Sequence, residues 1–256
     1  MNHFQFPISN FQFFLRHRCR LALCSLFFVV NFSGAAADVF FARGIAAYQA
    51  GQFPEAAAAF QKAAQTRPAA GTFINLGLAE WQRGHAGAAI LAWEKARWID
   101  PFDRRAAENL KFARAVAQVD EPQLKWFETA STWLPPDAWV WLAGGGLWLA
   151  VGALVLPRFF RRRKTGWQQW LAALGFGFFL FSLAANIGVV SRTSLGFVVE
   201  PDAPLRLTPT RDAEVTATLA TGEPVRRLKM RGNYFFIRTA NASGWVEQKS
   251  LGQVGE

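Results

Sequence analysis

The chain has 256 residues, of which 52% are hydrophobic and 18% charged, and it carries a formal charge of +10. Both cysteines (Cys19, Cys24) and two of its three histidines (His3, His17) fall near the start, so His85 is the one histidine beyond residue 37. That usage excludes disulfides, thiolate metal sites and multi-histidine metal sites from the rest of the chain, and no metal, other cofactor or catalytic residue is expected.

The N-terminus places Arg16, Arg18 and Arg20 ahead of the short apolar run LALCSLFFVVNF, Leu21 to Phe32. Small residues follow, with Ala35 and Ala37 at the positions a signal peptidase needs before Asp38. This pattern predicts an export signal over residues 1–37. An uncleaved anchor is the weaker reading, because the run is short and interrupted by Asn31. Leu23 stands before Cys24 where lipidation needs a small residue, so no lipid anchor is expected. Cleavage removes three arginines and no acid.

Residues 38–120 repeat themselves. Gly44, Ala46, Tyr48, Gly51, Ala56, Phe60, Ala63 and Pro68 recur 33 positions later as Gly77, Ala79, Trp81, Gly84, Ala89, Trp93, Ala96 and Pro101. A repeat of this period predicts stacked helical hairpins. The small residues let paired helices approach, Phe60 and Trp93 fill the space, and Gly51 and Gly84 make the turns. Pro68 and Pro101 end the second helices. A partial third unit, Asp103 to Gln118, reads as a capping helix. The repeats resemble the tetratricopeptide family, from which they depart by one residue in spacing and by Arg43 at a usually apolar position. The resemblance implies a partner-binding groove lined by Phe41, Ile45, Tyr48, Ile74, Asn75, Leu78 and Trp81. The same residues could instead be core, or packed against the capping helix; Asn75 and Asn109 could equally be structural hydrogen-bonders.

Residues 121–137 form a linker whose Trp126, Phe127 and Trp133 suit a membrane surface. Residues 138–156 and 167–191 are uncharged throughout. Each is long enough to cross a bilayer, which takes about 20 apolar residues. Trp139, Trp141, Trp167 and Trp170 lie near their ends, where indoles favour the headgroup level. Between them, residues 157–166 concentrate Arg158, Arg161, Arg162, Arg163 and Lys164. A short basic loop between two spans is a cytoplasmic retention signal, so this charge marks topology and gives no reason to expect nucleic acid. Both flanking portions are then expected on the outer side.

From residue 194 to 256 the pattern changes to short period-two runs: FVVE, PLRL, VTATL, PVRRLKM, YFFIR and SGWVE. Turn residues such as Thr221-Gly222 and Arg231-Gly232-Asn233 separate them. A small barrel of five or six strands is expected. Leu205-Arg206-Leu207, Asn233-Tyr234 and Gly244-Trp245-Val246 carry a resemblance to bacterial SH3-like domains. That resemblance implies peptide or peptidoglycan-stem contacts through Arg206, Tyr234 and Trp245, against the alternative that Trp245 and the Tyr234-Phe235-Phe236 group fill the barrel.

The fold class is therefore multidomain: all-α tetratricopeptide hairpins, a transmembrane helical hairpin and an all-β SH3-like barrel. This order, with the run Asn109 to Arg114, resembles the BatE family of aerotolerance-operon proteins. The resemblance implies a non-enzymatic scaffold of the bacterial inner membrane with both soluble portions periplasmic. It implies membrane partners of the von Willebrand A type linked to an AAA ATPase. A peptidoglycan-binding envelope protein is the competing reading.

Overall fold

The computed structural model describes residues 36–159 and 166–255. The expected signal segment as far as Ala35, and Arg161, Arg162, Arg163 and Lys164 of the basic turn, lie outside them. The chain divides into two compact units, one ending at Pro68 and one starting at Ala69.

The first unit holds a helical hairpin. Helix α1 (residues 36–49) is joined to α2 (Phe53–Thr66) by a turn in which Gly51 has φ +73°. That left-handed conformation costs glycine little and other residues more. Ala56, Ala57, Phe60, Ala63 and Ala64 of α2 are buried, an i, i+4 stripe that faces α1. A methyl group on Gly44 would sit 2.6 Å from the Phe60 ring, so the glycine sets how closely the helices approach. Ala37 is buried in the first described turn of α1.

The second unit begins with the matching hairpin, α3 (Ala70–Gln82) and α4 (Ala86–Ile99), whose turn glycine Gly84 has φ +79°. Gly77 faces the Trp93 indole, which is 2% exposed and donates to the Ile74 carbonyl at 3.2 Å. Helix α5 (Arg104–Ala117) follows, capped by the Asp103 carboxylate, which accepts from the Arg105 amide at 3.0 Å.

A five-residue helix, α6 (Trp126–Ala130), leads into α7 (Pro136–Phe159) and α8 (Gly166–Arg192). Both long helices are long and apolar enough to cross a membrane. They meet through glycine: a methyl on Gly146 would lie 2.8 Å from the Gly175 carbonyl, and one on Gly175 2.7 Å from that of Gly146. Their large side chains turn outward instead, with Trp141, Trp148 and Trp170 each at least three-quarters exposed. With small residues at the contact and aromatic ones outside, the pair presents the apolar outer surface that a lipid environment would accept. Trp139 departs from the headgroup position expected of it. It is 2% exposed, packs on Phe181 at 5.8 Å and donates to the Ser131 carbonyl at 3.2 Å. The orphan carbonyl at the end of α6 supplies the polar partner that water would otherwise give.

Seven antiparallel strands complete the unit: β1 (Leu195–Val198), β2 (Ala203–Arg206), β3 (Val215–Leu219), β4 (Pro224–Arg231), β5 (Tyr234–Arg238), β6 (Ser243–Glu247) and β7 (Leu251–Gln253). Their order in the sheet is β3-β2-β6-β5-β4-β1-β7. One face buries Val198, Leu205, Val225, Phe235, Ile237 and Val246. The strand beyond the expected five or six is β7. Three residues after a short 3-10 turn carry no alternation to read, and β7 exists through its pairing with β1.

The sheet does not pack apart from the helices. Phe197 of β1 and Val254 share a core with Ile90 and Trp93 of α4 and with Leu110 and Ala113 of α5. Glycines make the approach possible: Gly222 abuts Ile90, Gly252 abuts Leu91, and Gly87 of α4 lies against the Val198 carbonyl. Within the second unit, β1, β7 and the Thr221-Gly222 turn pack on α4, so the strands expected over residues 194–256 share a core with helices of the repeat region expected over residues 38–120.

Candidate interaction sites

The residues expected to line a groove divide between surface and core. On α1, Phe41, Ile45 and Tyr48 are half-buried; Phe41 stacks obliquely on Phe60 at 5.7 Å and Tyr48 packs edge-on against Phe53 at 5.4 Å. On α3, Ile74 is 3% exposed and belongs to a cluster with Ala96 and Ala106, so it is a packing residue. Its place follows from the packing of α3 on α4, with Ala106 of α5 closing the cluster. Asn75 and Leu78 are half-buried. Trp81 wedges between Trp93 at 6.0 Å and Phe112 of α5 at 5.5 Å, leaving only part of its ring to solvent. Next to it, Phe112 is 57% and Val116 58% exposed, and these outward apolar residues of α5 are absent from the sequence-derived set.

On the sheet, Arg206, Tyr234 and Trp245 share one face, the one opposite the core. Alternation decides this: Leu205, Phe235 and Val246 point inward, so their neighbours point out. Trp245 is therefore not barrel filling. It lies across from Arg206 on β2 and from Phe236 on β5, with the two rings 5.2 Å apart. Tyr234 sits two residues along β5 from Phe236, opposite Glu247. One Arg206 nitrogen donates to the Ala213 carbonyl at 2.9 Å, which anchors the guanidinium to the segment leading into β3. A half-buried row of arginine and aromatic rings of this kind offers rigid area and charge-assisted donors to an extended ligand.

A third site escaped the sequence reading. Glu128 is the single charged residue between Trp126 and Pro136, and it is fully buried. Its carboxylate accepts from both terminal nitrogens of Arg226 on β4 at 2.8 and 3.0 Å, from the Ser191 hydroxyl near the end of α8, and from the Lys125 amide at 2.9 Å. The bidentate pair therefore joins α6, α8 and the sheet. Burial pushes the Glu128 carboxyl up, but the bonds from Arg226, Ser191 and the Lys125 amide outweigh it and hold the group below its ordinary value of 4.5. Gly188 makes room for the contact, since a methyl there would strike the Phe127 carbonyl. The one trace in the sequence is a lone glutamate in an aromatic, otherwise uncharged segment.

Of the basic turn, Arg158 lies in the last turn of α7. Comparison with known families matches the tetratricopeptide repeat over residues 37–70, which spans the hairpin of α1 and α2. No curated protein matches the chain. The family match suggests a protein–protein interaction module, with protein partners in general.

Proposed function

We propose that this chain is a non-enzymatic, membrane-anchored scaffold of the bacterial envelope that captures partner proteins through its helical repeats. The observation that carries the proposal is the tetratricopeptide match over residues 37–70, on a chain with two helices apolar enough to cross a membrane. In this reading the helical hairpin spans the inner membrane, the basic turn stays cytoplasmic, and the repeats and an SH3-like C-terminal sheet are periplasmic. The resemblance to the BatE family extends it to von Willebrand A-type membrane partners linked to an AAA ATPase. Affinity capture of the full detergent-solubilised chain tests it, compared with a variant carrying Tyr48→Ala and Trp81→Ala. Loss of the same partners at an unchanged melting point supports capture by the repeats. Undiminished recovery rejects it.

The row Arg206, Tyr234 and Trp245 supports a second reading, a peptidoglycan-binding envelope protein. Co-sedimentation of the full chain with purified peptidoglycan, lost in Trp245→Ala, would favour this reading over the scaffold.

A further inference from the structure

We propose that the arginine-lined cavity where α4, the start of β1 and the end of α8 converge is a binding site for a phosphate-class anion. The cavity holds about 50 Å³ and is lined by Glu94, Arg97, Trp98, Thr132 and Arg192 together with apolar neighbours. A single water needs roughly 10–15 Å³ by this measure, so the space accommodates a small tetrahedral oxyanion.

Charge decides what it takes. Glu94 is committed to Arg114 of α5, which also reaches the exposed Glu121 at 3.3 Å, and Glu128 is committed to Arg226. Among the described residues, no carboxylate forms an ion pair with Arg97 or Arg192. The charged groups lining the cavity are thus Arg97, Arg192 and a glutamate already bonded to Arg114, which leaves positive charge in excess on the two arginines.

Geometry adds direction. The Arg192 guanidinium stacks on the Trp98 ring at 4.6 Å and spends one donor on the Ser131 hydroxyl at 3.2 Å. Stacking fixes the plane of the group and leaves other N–H donors in that plane, the fork that recognises phosphate oxygens. Two like charges facing one small cavity repel each other, and a bound anion relieves that repulsion.

The anion has two possible sources. Arg192 ends α8, and α7 begins beside it at Pro136, so the cavity lies at the end of the apolar hairpin away from the basic turn. A lipid phosphodiester would meet it there, as would free phosphate. The lipid source rests on the membrane reading given above; the free source does not.

The test uses the full chain. Its unfolding midpoint is measured in detergent with inorganic phosphate against chloride at equal ionic strength, and in nanodiscs of phosphatidylglycerol against phosphatidylcholine. A rise on the order of 2–4 °C is expected with at least one of the two anions. A response to phosphatidylglycerol alone assigns the lipid, and a response to phosphate assigns the free ion. The rise should vanish in Arg192→Gln and in Arg97→Gln. Arg97 makes no side-chain bond to other described residues, so its variant keeps the test valid if loss of Arg192 impairs folding. No rise in the wild type overturns the proposal. So does a lipid response that survives both variants and disappears when Arg161, Arg162 and Arg163 are neutralised. Release of the protein from membranes by alkaline carbonate would end the membrane reading and leave the phosphate arm intact.

Discussion

Gly77 and Glu128 are the residues on which most local structure turns, for opposite reasons. Gly77 matters for what it lacks. A leucine there would drive into Trp93 and its bond to the Ile74 carbonyl. Overpacking of this kind costs typically about 1–3 kcal/mol, so Gly77→Leu should lower the denaturant midpoint of the full chain clearly. An unchanged midpoint would refute the close helix approach. Glu128 matters for what it holds. Glu128→Gln strips the charge from a buried pair and leaves Arg226 uncompensated, a change expected to cost on the order of 3 kcal/mol. Because the folded carboxyl lies below 4.5, its contribution is complete above that pH and is lost as pH falls through the lowered folded value. The wild type should therefore lose stability over that acid range, and the glutamine variant should lose less. Parallel acid titrations by both proteins would show that the pair does not set the response.

Among the elements, α4 has the widest role. It is the second helix of a repeat, it packs on α5, and it receives the sheet through Gly222 and Gly252. Ile90→Ala opens a cavity at that meeting point, and such truncations cost about 2–5 kcal/mol. Hydrogen exchange should then rise in β1 and β7 as well as in α4 and α5. Exchange confined to the helices would mean that the sheet folds on its own. The same packing bears on fragments. A piece starting at residue 194 exposes Phe197 and Val254, which the intact chain buries against α4. It is expected to aggregate or to lose β1, as heteronuclear NMR spectra of the fragment would reveal.

At the scale of the whole molecule, the proposed topology makes a clean prediction, because no cysteine follows Cys24. A cysteine placed near Arg211 should react with an impermeant maleimide once the outer membrane is opened. One placed at Lys164 should react only after the inner membrane is broken. Labelling in the reverse order would place the soluble portions in the cytoplasm.

The sequence by itself determined whatever local periodicity encodes. The 33-residue self-match marked Gly44, Gly51, Gly77 and Gly84, and the structure places these at helix contacts and at left-handed turns. Uncharged runs marked α7 and α8, and alternation with turn residues marked six of the seven strands. Each of these signals repeats within a few residues, so neighbours along the chain carry it. Tertiary structure alone decided which faces meet. Ile74 became core because Ala96 of α4 and Ala106 of α5 pack against it, and Trp245 turned outward because its strand register put Val246 inside. Glu128 found Arg226 across 98 positions, and the sheet found α4 across still longer separations. A single glutamate or glycine has no period, and its partner is fixed only when distant segments fold against each other.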